Sequence, residues 1–336
     1  MHILIVTDAW LPQVNGVVRT LDTVVGILRA RGHAVDMVTP ADFITLPCPT
    51  YPEIRLSLAT TAMVGRRIEA SGPDSIHIAT EGPLGLAARR HCMRRGYRFT
   101  TSYHTRFPEY LYERLPVRRI REASHRFLDR FHRSGAAIMV ATQSIEDMLR
   151  ERCHTNIRRW SRGVDTVLFR PQVRRNLNGD RPISLYCGRV ATEKNIEAFL
   201  DLDLPGTKYV VGDGPQRSGL ERRYPKARFT GYHHGESLAA LIAQADVFVF
   251  PSRTDTFGLV LVEALACGVP VAAYPVPGPR DVVADGVVGA LDEDLGAAIR
   301  RALHMDRTAC RGHAEQYTWE RSAGQFLDNL MPVRAY

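Results

Sequence analysis

The sequence predicts an α/β protein made of two successive parallel-sheet domains. Three observations carry that expectation. Short apolar runs end abruptly in glycine, proline or polar turn residues, segments with helical spacing lie between them, and the same order of elements starts again near residue 182. At 336 residues, with 45% hydrophobic and 24% charged positions, the chain is long enough for two cores of ordinary size.

The first strand is Ile3-Leu-Ile-Val6, followed by a loop with Pro12 and Gly16. Leu21, Val24, Val25 and Leu28 then recur at the spacing of one helix face. Gly32 stands where a left-handed helix stop is expected, and Ala34 to Thr39 supplies the next strand, so the unit reads βαβ with parallel strands. Ile76-His-Ile78 and Phe99-Thr-Thr-Ser102 continue the series.

The second half opens with Ile183-Ser-Leu-Tyr-Cys187 before Gly188 and Lys208-Tyr-Val-Val211 before Gly212-Asp-Gly-Pro215. Ala227 to Thr230, Val247 to Phe250 and Pro270 to Ala273 add strands, each beside a turn former. A linker is expected near Gly163 to Pro171. Ligands of open parallel sheets sit beyond the carboxyl ends of the strands, which directs attention to the loops at 12–19, 188–195, 212–215, 230–232 and 251–259.

Composition excludes several classes. The cysteines at 48, 92, 153, 187, 267 and 310 lie far apart without a Cys-x-x-Cys pair, which suggests neither a disulfide framework nor a zinc site and fits a reducing cytosol. The apolar run at the N-terminus stops at Asp8 without a basic region before it, and no segment approaches the roughly 18 apolar residues of a membrane span, so neither secretion nor spanning is expected. Residues 89 to 133 hold thirteen arginines against four carboxylates, an excess larger than the whole-chain charge of +8. Such a patch suits phosphates of nucleic acid, anionic headgroups, or water alone.

Within that patch Val117, Ile120, Ser124, Phe127, Leu128 and Phe131 form one stripe, with Arg118, Arg119, Arg121, Arg126, Arg130 and Arg133 on the other faces. This is a basic amphipathic helix, which either lies against an anionic membrane or packs its stripe on the N-terminal sheet. The segment Pro251 to Val271 runs from strand through a polar loop to a helix starting near Gly258, bracketed by Asp255 and Glu263. A helix start of this kind suits a diphosphate, and Glu263 lies one turn and a half inward; capping by Thr254, Asp255 or Thr256 beside a solvated glutamate fits the same letters. Asp201-Leu-Asp203 and Asp292-Glu-Asp294 have the letters of a metal-binding Asp-x-Asp, but neither follows a strand in a way that presents it to a ligand, so no metal is expected.

Asp255 followed seven residues later by Glu263 resembles the carboxylate-x7-carboxylate signature of the retaining glycosyltransferases of family 4, with aspartate where that family usually has glutamate. Gly188-Arg-Val-Ala-Thr-Glu-Lys-Asn195 is similar to the loop in which the family clasps the donor diphosphate with an arginine and a lysine, here Arg189 and Lys194. Gly212-Asp-Gly-Pro215 and Phe229-Thr-Gly-Tyr232 resemble further family loops, the second supporting the base at Gly231. Asn15-Gly-Val-Val-Arg19 is similar to the glycine loop facing the phosphates, at Gly16, and Ser102-Tyr-His-Thr-Arg-Phe-Pro108 to the segment carrying the strand-end histidine, here His104.

The resemblance covers most of the chain and implies the GT-B architecture, two Rossmann-like domains facing each other across a cleft. Its partition would be an acceptor domain at 1–165, a donor domain at 166–316 and a helix returning to the first domain at 317–336. His104, Asp255, Arg189 and Lys194 would then be catalytic, and Gly16, Gly188, Gly231, Phe257, Gly258, Leu259 and Glu263 would join Arg189, Lys194 and Asp255 around the donor. The implied reaction moves a hexose-type sugar from a UDP- or GDP-sugar, without metal or resident cofactor, to an acceptor such as diacylglycerol or a phosphatidylinositol-type glycolipid. The helix arginines Arg118, Arg119, Arg121 and Arg126 would touch that acceptor or the inner face of the cell membrane, making the enzyme cytoplasmic and at most peripheral. A sugar-nucleotide epimerase of the same fold and a nucleic-acid-binding protein using the arginine patch are the alternatives, although no nucleic-acid module is recognised. A nicotinamide enzyme is disfavoured because the first strand is not followed by the phosphate-binding glycine fingerprint, and Gly212-x-Gly214 is not one either, since position 217 is arginine.

Overall fold

The computed structural model describes residues 1–13, 15–48, 51–114, 117–172 and 177–334. Residue 14 of the expected 12–19 loop and residues 173–176 just past the expected linker lie outside the described residues. The chain forms two compact units, one of Met1–Pro108, Arg118–Ser161 and Trp319–Tyr336, the other of Glu109–Val117 and Arg162–Thr318. The short segment 109–117 therefore groups with the second unit, whereas a simple cut near residue 165 puts it in the first.

The first unit contains β1 (His2–Val6), β2 (Ala34–Val38), a hairpin of β3 (Thr45–Cys48) and β4 (Tyr51–Ser57), then β5 (Ser75–Ile78), β6 (Thr100–Tyr103), β7 (Ala137–Val140) and β8 (Ile157–Arg159). Its main sheet has the order β2-β1-β5-β6-β7-β8, parallel throughout. Every residue of β5, β6 and β7 is buried, as an all-parallel sheet covered on both faces requires. The helix Gly16–Ala30 buries Leu21, Val24, Val25 and Leu28, the stripe its sequence spacing lays out. Asn15 caps it by accepting from the amides of Val17 and Val18, both at 3.0 Å. The helix Trp319–Asn329 groups with this unit: Phe326 lies 4.8 Å from the Trp160 ring, and Trp160 Nε1 donates to Ser322 Oγ at 3.1 Å.

The second unit contains β9 (Ile183–Cys187), β10 (Thr207–Val211), β11 (Arg228–Gly231), β12 (Val247–Phe250), β13 (Val271–Ala273) and β14 (Gly289–Leu291). They form one parallel sheet ordered β11-β10-β9-β12-β13-β14. The chain moves outward one way through β9, β10 and β11, then restarts on the other side of β9 with β12. That reversal is the topological switch point where such sheets bind ligands. Tyr186, Val190, Phe199, Val210, Val249 and Ile299 belong to the core that fixes the strands beneath it.

Candidate functional site

At the switch point of the second unit, the loop leaving β9 meets the loop leaving β12. Residues 192–194 form a single 3-10 turn after which Asn195 takes a left-handed φ of +52°. From there Asn195 Nδ2 donates to the carbonyl of Pro251 at 3.1 Å, and Ser252 Oγ donates to the carbonyl of Glu193 at 3.4 Å. These bonds lock the two loops together and bring two of the sequence-selected residues into contact. Lys194 Nζ donates to Asp255 Oδ1 at 2.7 Å and to Oδ2 at 2.9 Å. Burial alone would lower the ammonium's pKa, but the facing Asp255 carboxylate more than offsets it and holds Lys194 above the usual lysine range, fixed as a cation. Glu193, next to Lys194 in the chain, is buried.

Arg189 stands half-buried in the same loop; burial lowers its pKa and the Glu193 charge opposes that shift, leaving a guanidinium that is still a cation. The loop owes its path to close backbone contacts. Gly188 N donates to Val211 O at 3.0 Å and Val190 N to Asp213 O at 2.9 Å. A Cβ on Gly212 would fall 1.9 Å from the Gly188 carbonyl oxygen, and φ there is +135°. Gly212 thus serves the approach of two loops. Gly231 ends β11 with its carbonyl accepting from Gly212 N at 2.8 Å, so the loops after β9, β10 and β11 form one connected rim.

The helix Leu259–Ala266 starts at Gly258, whose φ is +81°, a residue with no side chain to cap the first turn. Phe257 is buried edge-on against Tyr317, with ring centroids 5.9 Å apart, and Leu259 is half-buried. Glu263 is only 2% exposed, so it is not the solvated surface glutamate of the second sequence reading.

Two features near this site escaped the sequence reading. Tyr110, on the helix Phe107–Arg114, reaches Lys194; burial, foremost, pushes its hydroxyl up to about 12. Gly278, with φ +93°, passes so close that a Cβ would lie 3.1 Å from the Asp255 carbonyl oxygen. The proline-rich wording Tyr274-Pro-Val-Pro-Gly-Pro279 was the available signal for the second. For Tyr110 there was none beyond an aromatic residue in a segment that resembled the family.

In the first unit, Asp8, Glu81 and His104 stand just past the carboxyl ends of β1, β5 and β6. Asp8 is committed to structure. Its Oδ1 accepts from Leu84 N at 2.8 Å, and its Oδ2 from Gly85 N at 3.2 Å and Thr80 Oγ1 at 2.8 Å, which caps the helix Pro83–Arg95. Burial raises the Asp8 pKa against those bonds. Glu81 pairs with the buried His132 ring at 3.2 Å. His104 rests edge-on against Trp160, with ring centroids 5.6 Å apart, and Gly16 opens the helix Gly16–Ala30.

The basic helix Arg118–His132 splits its apolar stripe. Leu128 and Phe131 are buried, while Val117 just before it, Ile120 and Phe127 are exposed. Arg118 pairs with Glu122 at 2.8 Å, Arg119 and Arg126 are exposed, and Arg121 is half-buried. Packing on the N-terminal sheet thus accounts for only the last part of the stripe.

In the acidic triplets, Asp201 accepts from the Tyr224 hydroxyl, and Asp294 caps the helix Leu295–Ala302. Among the described residues no cluster of three His, Cys, Asp or Glu is placed to hold an ion, and no helix is long and apolar enough to cross a membrane.

Comparison with known proteins bears on the family and the fold. Residues 14–168 match the family model described as Glycosyltransferase Family 4, and residues 181–305 the one described as Glycosyl transferases group 1. A GDP-mannose-dependent alpha-mannosyltransferase of Mycolicibacterium smegmatis is 32% identical, over 87% of this chain and 84% of its own. The sulfoquinovosyl transferase SQD2 of Arabidopsis thaliana is 29% identical over 94% of this chain and 70% of its own, and an alpha-monoglucosyldiacylglycerol synthase of Streptococcus pneumoniae 28% identical over 90% and 78%. Among solved structures, sucrose-phosphate synthase of Thermosynechococcus elongatus superposes with a TM-score of 0.79 at 22% identity, covering 97% of both chains. Anabaena HepE in complex with UDP-glucose gives 0.69 at 16% identity, covering 98% of both. The fold class is GT-B, with a Rossmann-like sheet in each half.

Proposed function

The chain belongs to the family 4 glycosyltransferases, and we propose that it moves a hexose-type sugar, with retained anomeric configuration, from a UDP- or GDP-sugar to a hydroxyl of a membrane lipid. The observation that carries this reading is the Lys194–Asp255 pair, held where the β9 and β12 loops meet. A cation fixed at a switch point, with Arg189 on the same loop, suits a diphosphate whose charge grows as it leaves. Asp255, its oxygens already oriented, suits the hydroxyls of the sugar.

In this reaction the bond from the anomeric carbon to the diphosphate oxygen breaks while the acceptor oxygen bonds to the same face of that carbon. The acceptor proton passes to a phosphate oxygen of the leaving group, so no side-chain nucleophile and no metal is given a part. Arg189 and Lys194 stabilise the departing charge, Gly231 and Glu263 belong with the nucleoside, and His104 is assigned to the sugar. Guanine and uracil both fit the reading: the named relatives include GDP-mannose-dependent enzymes, and HepE was solved with UDP-glucose. A lipid acceptor is supported by the diacylglycerol named for the pneumococcal relative and by the exposed Ile120 and Phe127 flanked by arginines. In this reading the protein works in the cytoplasm and touches the membrane only at its surface.

The decisive test offers the full chain labelled GDP-mannose, UDP-glucose and other nucleotide sugars, each with and without membrane lipids and with a chelator. Transfer to lipid with the α-linkage of the donor, undiminished by the chelator, is expected. A changed sugar nucleotide formed without any acceptor would identify an epimerase instead.

A further inference from the structure

On the first unit, the helices Pro83–Arg95 and Arg118–His132 flank an open depression of about 470 Å³. Its lining is Arg89, Arg126, Asp129, Arg130, Arg133 and Ser134. We infer that this depression is a binding site for a single phosphate group, the chemistry shared by soluble phosphate compounds and acidic lipid headgroups.

Four guanidinium groups share the site with one carboxylate, and that carboxylate is already taken. Asp129 accepts from Arg152 Nε at 3.1 Å and Nη2 at 2.6 Å, and pairs with His154 Nε2 at 3.1 Å. Arg89 is anchored as a wall: its Nε donates to Ser134 Oγ at 2.7 Å and its Nη2 to the Arg130 carbonyl at 2.9 Å. Arg133 donates to the Arg152 carbonyl at 3.3 Å. These bonds go to neutral acceptors and leave the positive charge uncompensated. Among the described residues no carboxylate pairs with the side chain of Arg126 or Arg130.

Like charges held this close repel, and burial followed by the charges of Arg130 and Arg90 lowers the Arg89 pKa. A bound anion removes that repulsion. A planar guanidinium fork matches two phosphate oxygens at once, which favours phosphate over a monovalent halide. Two arms fixed by backbone carbonyls and two free to fold inward make a preorganised but open cradle, suited to a group presented from solvent or from a surface.

The inference extends the membrane part of the proposed function to a discrete site on the same helix, and its test keeps the two apart. Full-length protein and an Arg126→Gln/Arg130→Gln variant, both checked for folding by circular dichroism, are titrated with inorganic phosphate and followed by phosphorus NMR line broadening. Both are also co-sedimented with phosphatidylcholine vesicles with and without phosphatidic acid. The wild type is expected to broaden the phosphate signal, and the variant to bind at least about tenfold more weakly. Retention on phosphatidic acid vesicles that falls in parallel assigns the phosphate to a lipid; phosphate binding without vesicle retention assigns it to a soluble compound and sinks only the membrane reading. No broadening by the wild type, or equal broadening by the folded variant, overturns the site. An Arg130→Lys single variant, which keeps the charge and loses the fork, is expected to bind at an intermediate level.

Discussion

Lys194 grips both oxygens of Asp255, at 2.7 and 2.9 Å, although the two residues are 61 positions apart in sequence. The aspartate side chain is one methylene shorter than the glutamate usual at this place, and it still meets the lysine because Asn195 and Ser252 bind the two loops to one another. Without the pair, either group would be left partly buried and uncompensated.

Lys194→Met is therefore expected to lower kcat by about a hundredfold or more, the scale of removing one preorganised group at developing charge. Asp255→Asn is expected to cost about 2 kcal/mol of stability, the scale of a hydrogen bond to a charged group, and to reduce turnover as well. The double variant should lose less than the product of the single losses, because the two side chains act through each other. Steady-state rates of the three purified variants check this, and independent, multiplicative losses would refute the coupling.

Gly212 sets the spacing of the β9 and β10 loops. An added methyl group would overlap the Gly188 carbonyl, and the backbone at φ +135° resists any side chain. Gly212→Ala should cost about 3 kcal/mol or more, since both overlap and strain must be relieved by moving the loop that carries Arg189. Calorimetry reads the cost, and a Gly219→Ala control, where a Cβ meets nothing within 4 Å, should change little.

These residues also show what could be read without coordinates. β1 and β12 were legible because unbroken apolar runs end sharply in polar or turn residues, and β9 because its apolar run, broken only by Ser184, stops at Gly188. The β3–β4 hairpin was not, since Pro47 and Pro52 argue against a strand and Thr45 to Cys48 has no buried residue. β8 and β14, at three residues each, are too short to carry a period. Arg189, Lys194 and Asp255 were named from the resemblance of their loops, but the contact of Lys194 with Asp255 depends on strand order, which local letters do not encode. The stripe of the basic helix was read correctly as letters, while its exposure depends on what covers it.

His154 gives the first unit a pH dependence. Burial, above all, lowers its pKa from 6.5, although Asp129 pulls it back upward. The unfolded chain thus takes up a proton near pH 6.5 that the folded chain refuses until lower pH. The stability is present above 6.5 and is lost as pH falls through the folded value. All three tryptophans, Trp10, Trp160 and Trp319, lie in this unit, so their emission follows its unfolding. The advantage of the wild type over His154→Gln in Tm should shrink between pH 7 and 5; a constant difference would contradict the assignment.

Phe326 is fully buried against Trp160 and the His77 ring, with centroids 4.8 and 4.9 Å away. Phe326→Ala should destabilise the first unit by about 3–5 kcal/mol, the range for emptying an aromatic site in a core. Denaturant unfolding followed by tryptophan emission measures it. Leu11→Ala, at a side chain 59% exposed, should shift the midpoint by far less.

Ile120 and Phe127 are 39% and 41% exposed on a helix whose neighbouring positions carry arginine. Folding gains little from them, so Ile120→Ser/Phe127→Ser should leave Tm nearly unchanged, within about 0.5 kcal/mol for each surface position. If they enter a lipid surface, the same variant loses the apolar part of membrane affinity while the arginines keep the electrostatic part. Binding to anionic vesicles should then fall several-fold and become more sensitive to salt, because screening acts on the charges alone. Vesicle sedimentation at two salt concentrations separates the contributions. Unaltered retention at both would show that these side chains stay in water and that the helix meets anions through arginine only.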